Sequence, residues 1–370
     1  MDRINTATKA TDKWGSGKHG FTEGDPQAGV ADTELDAAFF DGVQEEIVAP
    51  IEHVGRATDP DDLAQLLKAI RDLFQLANWT VSYPDAATNM AIAWRPLASG
   101  RRFVVADGAN SFKRSDDGIT WTSYGGLGPF TEVYELVRGA TYFWATGNSS
   151  LAGVYRSTDG VSWSGPYALG GTDYHGIVAV EGTAFATVGL GGSIYTSTSG
   201  TSWTVRTSGT ANNLRAVARR SDGVLVAVGD AGTITRSANL TTWATQTSGT
   251  ADDLFGVAVA TSGPVAGRFV AGGDNGTIIY SDDGTSWSAA SATASASLIQ
   301  RVRWSTRHAV FLACDETAIL VSRDGDTWVR VLPVTGDQVR DVVEDDHGSV
   351  AVGWSGIVMN SLRSFDLLAP

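Results

Sequence analysis

The chain has 370 residues, more than one compact core usually serves, so its length predicts two domains or one repetitive domain with an appended segment. Its 43 glycines, 12 tryptophans and 18% charged residues are typical of many short strands joined by tight turns and argue against a helical enzyme. The formal net charge of −14 argues against a nucleic-acid partner, because phosphate binding needs a basic surface.

The first residues and the single cysteine predict where the chain is made. Residues 1–14 alternate charged and polar types, and the sequence has no run of about 18 apolar residues. We therefore expect neither a signal peptide nor insertion into a membrane. Cys314 lies in an apolar run and is expected to be a buried thiol, which fits synthesis in a reducing cytoplasm.

The segment before the repeats divides into two parts. Residues 1–32 are polar and glycine-rich without sustained periodicity, and they predict an extended segment that orders only against a partner. Residues 33–77 predict two amphipathic helices that begin near Thr33 and Asp59. Because their apolar faces have no partner within the segment, we expect residues 33–77 to form an oligomerisation collar that holds a homotrimer together.

A short phrase with Ser first, Gly fourth and Trp seventh recurs along the rest of the chain. From Ser115 to Ser361 its serines follow at intervals of 42, 40, 40, 44, 41 and 39 residues, which is the period of a four-stranded propeller blade. The clear copies are Ser115–Trp121, Ser157–Trp163, Ser281–Trp287 and Ser322–Trp328, and weaker copies are Ser197–Trp203 and Ser237–Trp243.

Glycine-punctuated hairpins between the phrases predict the number of blades. Seven begin near Phe103, Tyr142, Ala184, Val224, Phe269, Val310 and Val350. Residues 78–370 are therefore predicted to form a seven-bladed β-propeller, an all-β fold. Trp79 stands at the spacing of an outermost strand that precedes the first inner strand, so this strand is expected to complete the last blade and close the ring.

The chemistry of the phrase predicts a structural role. Ser and Asp side chains accept backbone hydrogen bonds, Gly takes a positive φ angle and Trp packs against the blade. The phrase resembles the Asp-box repeat of sialidase-like propellers, although it is one residue shorter between Asp and Trp than that family's pattern. The structural tryptophans of the repeat are Trp79, Trp121, Trp163, Trp203, Trp243, Trp287 and Trp328.

Three elements occur in order in the first 75 residues. They are the run Gly17-Lys18-His19-Gly20-Phe21, the pair Phe39-Phe40 and the run from Val43 to Ile47. Together they resemble the N-terminal attachment region of tailed-phage tail fibres. The resemblance implies that residues 17–21 attach the protein to phage tail or baseplate proteins. It also implies that a protein made in the host cytoplasm is carried on the virion tail, with its C-terminal part facing the host surface.

Catalytic and metal-binding patterns are missing from the sequence. Five scattered histidines and one cysteine lack the spacing of a zinc site, and there is no Gly-x-Ser-x-Gly elbow. The acid pairs at 252–253 and 345–346 are interpreted as solvated turn residues, although glycosidase carboxylates would look the same. We therefore expect no catalytic residue, no metal and no cofactor.

Aromatic and basic residues outside the repeat suggest a ligand site. Trp14, Trp94, Trp144, Trp304 and Trp354 have no place in the repeat. Trp354, in a loop between strands, could stack on a sugar or lie flat on the neighbouring blade. Arginines near the starts of inner strands could bind an anion at the channel mouth or pair with Asp341 or Glu132. The candidate ligand-binding residues are Trp354, Arg215, Arg301, Arg340, Tyr174, His175, Asn213, Asp230, Asp253 and Asp274.

Three functions fit these patterns. The favoured one is a tail-fibre receptor-binding protein that recognises a host surface polysaccharide or lipopolysaccharide without cutting it. The second is a sialidase-type glycan hydrolase, which would need an arginine cluster, an activated Tyr and an acid at one mouth. The third is an intracellular assembly scaffold that resembles propeller factors of photosystem assembly. The scaffold accounts for residues 79–370 but leaves the first 75 without a role.

Overall fold

The computed structural model of the protein describes most of the chain after residue 78. The described residues are 79–83, 89–97, 100–107, 111–125, 130–149, 153–170, 173–291, 293, 295–316, 318–333, 339–345, 348–353 and 358–361. The predicted attachment segment 1–32, with Gly17 to Phe21, and the predicted collar 33–77 lie outside them, as does Trp354. Within these ranges no helix is long and apolar enough to cross a membrane.

The described residues form seven four-stranded antiparallel sheets, which we call blades 1 to 7. The first strand of the chain, β1 (Trp79–Tyr83), belongs to blade 7. Blade 1 contains β2 (Asn89–Leu97), β3 (Gly100–Asp107), β4 (Ser111–Ser115) and β5 (Thr122–Gly125). Blade 2 contains β6 (Phe130–Arg138), β7 (Phe143–Ser149), β8 (Gly153–Ser157) and β9 (Ser164–Ala168). Blade 3 contains β10 (Tyr174–Val180), β11 (Ala184–Gly189), β12 (Ile194–Ser197) and β13 (Thr204–Arg206).

The remaining four blades repeat the same order of strands. Blade 4 contains β14 (Leu214–Arg219), β15 (Leu225–Gly229), β16 (Ile234–Ser237) and β17 (Trp243–Gln246). Blade 5 contains β18 (Leu254–Val259), β19 (Phe269–Gly273), β20 (Ile278–Ser281) and β21 (Ser288–Ala289). Blade 6 contains β22 (Ile299–Ser305), β23 (Val310–Asp315), β24 (Ala318–Ser322) and β25 (Val329–Pro333). Blade 7 contains β26 (Val339–Asp345), β27 (Gly348–Gly353), β28 (Val358–Ser361) and β1.

The blades form a closed ring around a central channel. The first strand of each blade contacts the first strand of the next, and β26 of blade 7 contacts β2 of blade 1. β1 pairs antiparallel with β28, from Trp79 opposite Ser361 to Tyr83 opposite Val358. The outermost strand of blade 7 is therefore supplied by the start of the propeller sequence, as the position of Trp79 predicts. The all-β propeller expected from the repeat is confirmed.

The hydrophobic core lies between the blades. Each of the seven interfaces between neighbouring blades holds one cluster of buried apolar side chains in the described part of the chain. Middle strands such as β15 are buried along their whole length, because a blade covers each of their faces. This explains why those strands are continuous apolar runs in the sequence and do not alternate with polar residues.

Hydrogen bonds within the repeat phrase form the turns that precede the outermost strands. In blade 1 the backbone N–H of Gly118 donates to Ser115 Oγ at 2.8 Å. The N–H groups of Ile119 and Thr120 both donate to Asp117 Oδ1 at 2.7 Å. Gly118 has φ +81°. A Cβ there would lie 3.4 Å from Phe103 in the same blade and 3.3 Å from Val350 in blade 7. The Ser115 and Asp117 side chains thus accept hydrogen bonds from backbone N–H groups of the same turn.

The same turn forms in weaker copies of the phrase. Ser199 takes the place of the aspartate in blade 3 and accepts from two N–H groups at 3.2 Å, longer than the aspartate bonds. In blade 4 Asn239 accepts in place of aspartate, and Leu240 takes the glycine position with φ +67°. Leucine rarely adopts this left-handed conformation, so Leu240 is strained in the turn of blade 4.

The repeat tryptophans pack between their own blade and the preceding one. Trp121, Trp243 and Trp328 are buried, whereas Trp163, Trp203 and Trp287 are half-buried. Trp163 of blade 2 stacks on Phe112 of blade 1 with ring centroids 4.6 Å apart. The side chain of Trp79 is outside the described part of the structure.

We expect Asp117→Ala to lower the free energy of unfolding by about 1 kcal/mol at pH 7, because two backbone N–H groups lose their acceptor. Burial opposes ionisation of this carboxyl, but the Thr120 and Ile119 N–H groups lower its pKa to about 2. A lowered folded-state pKa stabilises the fold above the unfolded value of about 4, and this stabilisation is lost as the pH falls toward 2.

Denaturant unfolding at pH 7 and pH 2.5 would test this. Asp116→Ala serves as the matched control, because its carboxylate is exposed and pairs with Arg102 instead of accepting from the N–H groups of the turn. Equal losses for the two variants at pH 7 would contradict the assignment.

Candidate functional site

The two faces of the propeller are built from different loops. Three short 3-10 turns, Leu190–Gly192, Asp230–Gly232 and Asp274–Gly276, lie on one face with the segments that lead into the inner strands, and we call this the upper face. Backbone bonds join these loops, for example from Asp230 N to Asn213 O at 2.9 Å. The repeat turns lie at the opposite ends of the strands, on the lower face. The loops between second and third strands therefore share the upper face with the segments between blades, and the repeat turns occupy the lower face.

A β-bulge occurs near the upper end of the first strand in every blade. The register of each inner pair skips a residue there, which leaves one side chain out of the ladder. Bulges re-aim side chains, so these positions are set apart at the channel mouth. We call the six whose side chains are described the bulge ring: Tyr134, His175, Arg215, Phe255, Gln300 and Arg340.

Neighbouring members of the bulge ring contact each other in two pairs, one from blades 2 and 3 and one from blades 4 and 5. The Tyr134 and His175 rings stack with centroids 4.4 Å apart and an interplanar angle of 2°. The Arg215 guanidinium lies 5.7 Å from the centroid of the Phe255 ring. Arg215 is fixed by Asp230, with Nε to Oδ1 at 2.6 Å and Nη2 to Oδ2 at 3.1 Å. Planar side chains thus line this arc of the mouth.

The stacked pair is uncharged at neutral pH. Burial, with a contribution from the Arg215 cation, lowers the pKa of His175 to about 4. Burial and the neighbouring Glu132 carboxylate raise the pKa of Tyr134 to about 12. Asp173 lies on the same side of the mouth, and burial together with Glu132 raises its carboxyl pKa. This arc therefore presents neutral rings beside the Glu132 and Asp173 carboxyl groups.

Arginines of blades 6 and 7 form the other arc. Arg301 pairs with Glu135 of blade 2 and donates from Nη2 to the Tyr134 carbonyl at 2.9 Å. Burial and the Arg301 cation lower the pKa of the Arg340 guanidinium. The Arg301 and Arg340 guanidinium groups therefore lie close enough at this mouth for their charges to repel. Arg301 is paired with the Glu135 carboxylate.

A buried ion network crosses the channel beneath the bulge ring. Arg303 of blade 6 donates to both Asp341 carboxylate oxygens, at 2.9 and 2.7 Å, and to Glu135 at 2.9 Å. Asp341 is fully buried and also accepts from the Ile92 N–H of blade 1 at 3.2 Å. Together with Arg301, two cations and two anions join blades 6, 7, 1 and 2. The network therefore ties four of the seven blades together inside the channel.

The structure brings together some of the predicted ligand-binding residues. Asn213 Nδ2 donates to Asp230 at 2.7 Å, beside Arg215. Asp253 accepts from the Ala231 N–H at 2.7 Å. Asp274 has a raised carboxyl pKa, first through burial and then through Asp253 and other nearby carboxylates. These acids occupy the loops of the upper face around the bulge ring.

Tyr174 is placed differently from the other predicted residues. It is 1% exposed, its hydroxyl donates to the Gly170 carbonyl, and its ring packs edge-on against Tyr195. Its phenol is therefore part of blade 3. Sequence reasoning missed Tyr134 and Phe255, which occupy the same bulge position as His175 and Arg215. The shared register before each inner hairpin was the signal that could have identified them.

No group of three or more His, Cys, Asp or Glu side chains within the described ranges is arranged to hold a metal ion. Cys314 is buried and free of disulfide bonds. Burial raises the pKa of its thiol, which disfavours the reactive thiolate. Together with the ring of blades, these features define the described chain as an all-β propeller with a polar and aromatic upper mouth.

Comparisons with known proteins agree with this class. No protein-family model matches the chain. The uncharacterized protein StfP of Escherichia coli strain K12 is 45% identical over 73 residues, which cover 20% of this chain and 35% of StfP. The chain therefore spans about a third of the length of the curated relative it matches, and a 73-residue match is too short to include the propeller.

Solved structures share the fold at low sequence identity. A structure of YCF48 bound to D1 peptide is 18% identical with a TM-score of 0.60, covering 77% of this chain and 97% of that one. YCF48 from Cyanidioschyzon merolae is 15% identical with a TM-score of 0.58, covering 77% and 98%. Virginiamycin B lyase from Staphylococcus aureus is 11% identical with a TM-score of 0.65, covering 76% and 97%. These similarities establish the propeller fold alone.

Proposed function

We propose that the protein is a tail-fibre-like receptor-binding protein that attaches to a phage tail through residues 1–32 and binds a host surface polysaccharide or lipopolysaccharide with its propeller. The bulge ring carries the binding half of the proposal, because six described strands each place one bulged residue at the same mouth. The attachment half rests on the elements at Gly17–Phe21 and Val43–Ile47. The 45% match to StfP is consistent with it.

The direction of the chain favours the upper face as the receptor side. Trp79 pairs with Ser361, the serine position of the last repeat phrase, so the chain enters the propeller at the lower face. The start of β1 therefore lies at the end of blade 7 opposite the bulge ring. A protein attached through its N-terminus would have its upper mouth available to the host.

A glycan hydrolase is the second candidate, and one observation favours it. Glu132, Tyr134 and Asp173 lie at the same mouth as Arg301 and Arg340, which together resemble the set that such chemistry needs. Against it, the raised pKa of Tyr134 disfavours an ionised nucleophile, and Arg301 is paired with Glu135. Release of reducing ends from host polysaccharide, lost in Asp173→Asn, would favour the hydrolase.

We expect Arg340→Ala and Trp354→Ala each to weaken adsorption to host cells by roughly 1–3 kcal/mol, or about 5- to 150-fold. Melting temperatures should stay within a few degrees, since Arg340 lies outside the apolar clusters between blades and the sequence predicts that Trp354 lies in a loop. Arg268→Ala on the lower face is the matched control, because this arginine pairs with the exposed Asp282.

Adsorption of the purified protein to host cells would test receptor binding. Immunogold labelling of virions would test attachment to the tail. Unchanged adsorption in the Arg340 and Trp354 variants with a loss in Arg268→Ala would place recognition on the lower face and contradict the proposal. Absence of label on virions would remove the tail attachment and favour an intracellular scaffold.

A further inference from the structure

A pocket of about 270 Å³ opens at the lower mouth of the channel. It is formed by the first strands of blades 6, 7, 1 and 2, below the ion network. Arg303, which is held by Glu135 and Asp341, is part of its lining. The pocket shares no lining residue with the bulge ring, so it is distinct from the proposed upper site.

The wall of the pocket is mainly apolar. Val137, Val343 and two tryptophans, Trp94 and Trp304, line it. The Trp94 ring has the Arg138 guanidinium 4.9 Å from its centroid and Phe103 at 6.5 Å, so the indole is held in place. Trp94 and Trp304 are outside the repeat phrase, and the turns do not require them. Their presence at one opening suggests a role in binding.

The remaining lining is polar and electrically balanced. Arg138 supplies a cation with hydrogen-bond donors, and Glu344 supplies a carboxylate that accepts from Ser349 Oγ at 2.8 Å. Ser305 and Thr306 add groups that can both donate and accept. Arg303 is neutralised by the network above. The pocket therefore offers donors and acceptors without a net charge that would select an ion.

We propose that the lower pocket binds the ring of one neutral hexose. A pocket of this volume lies just below the size of sites for drug-like molecules, which suits a single ring. A pyranose has apolar C–H faces to pack on an indole and hydroxyl groups that need both donors and acceptors. A purely hydrocarbon ligand would make no hydrogen bond to Arg138 or Glu344, and the Glu344 carboxylate would repel an anion.

Saturation-transfer NMR on the full chain would test this with methyl glucoside, methyl galactoside and methyl mannoside, each at about 10 mM because a single sugar ring is expected to bind only at millimolar concentration. Glucuronate and cyclohexanol are the anionic and hydrocarbon probes. We expect saturation transfer to at least one hexoside and much weaker transfer to the other two probes. We expect a loss of about tenfold in affinity for Trp94→Ala and Arg138→Gln.

Arg340→Ala, at the upper mouth, is the matched control and should keep hexoside binding. Melting curves would identify a Trp94 variant that fails to fold, and Arg138→Gln keeps the test valid in that case because Arg138 is exposed. Transfer to cyclohexanol or glucuronate alone, transfer unchanged in Arg138→Gln, or no transfer to any hexoside would each overturn the proposal. Adsorption through the upper face would be unaffected by any of these outcomes.

Discussion

Asp341→Asn is expected to lower the free energy of unfolding by about 3–5 kcal/mol, because it removes one partner from a buried ion network. Asp341 is fully buried and binds Arg303 through both carboxylate oxygens. The neutral amide would leave two buried guanidinium groups to share Glu135. The Ile92 N–H would also lose a charged acceptor. We therefore expect loosening where blades 7 and 1 meet.

Thermal and denaturant unfolding would measure this loss against Asp282→Asn. Asp282 also pairs with an arginine, Arg268, but its side chain is 69% exposed. Exposed pairs contribute about 0–1 kcal/mol, so this control should change stability little. A loss in Asp341→Asn no larger than that of the control would show that the network contributes no more than a surface salt bridge.

The Asp341 effect should also depend on pH. Burial raises the pKa of this carboxyl, but Arg303 and Arg301 outweigh it, and the folded-state pKa is lowered. The stabilisation is therefore present above the unfolded-state value of about 4 and is lost as the pH falls through the folded-state pKa. The stability difference between wild type and variant should shrink in acid. A difference that grew below pH 4 would have the wrong sign.

Trp328→Ala is expected to lower the free energy of unfolding by about 3–5 kcal/mol, the range for large-to-small changes in a core. Trp328 is 4% exposed and lies in the cluster between blades 5 and 6 with Val270 and Phe311. Alanine would leave a cavity that two rigid sheets cannot easily close. Denaturant midpoints at constant slope would report the change.

Trp203→Ala is the matched control for Trp328. Each indole N–H donates to the glycine carbonyl of its own turn, at 3.1 Å in Trp203 and 3.2 Å in Trp328, so the lost hydrogen bond is the same. Trp203 is only half-buried, so its loss should be smaller. Equal losses would mean that the turn hydrogen bond, and not burial between blades, determines the effect.

The sequence predicted the fold well because the repeat is a local signal. The Ser-Asp-Gly-Trp phrase specifies a turn within seven residues, and its spacing gives the length of a blade. Ring closure by β1 followed from the position of Trp79 alone. Burial of individual tryptophans did not follow, because Trp203 and Trp328 hold the same position in the repeat but pack against different neighbouring blades.

The sites were harder to predict because their residues come from distant parts of the chain. Glu135 and Arg301 are 166 positions apart, and no local pattern links them. Sequence reasoning suggested that the inner-strand arginines pair with Asp341 or Glu132. Arg301 does lie 3.8 Å from Asp341, but its closer partner is Glu135, which sequence reasoning did not name. A bulge at Tyr134 changes which side of β6 faces the channel, and a bulge has no clear signature in sequence.

The pairing of β1 with β28 has a consequence for the order of folding during synthesis. Trp79 leaves the ribosome early, and its partner Ser361 is made 282 residues later, which is 361 minus 79. Until β28 is made, β1 has no sheet to join, and its unpaired edge could pair with another chain. Contacts so far apart in sequence also form slowly. We therefore expect the pairing of β1 with β28 to form late in folding, and nascent chains to be open to mispairing until it does.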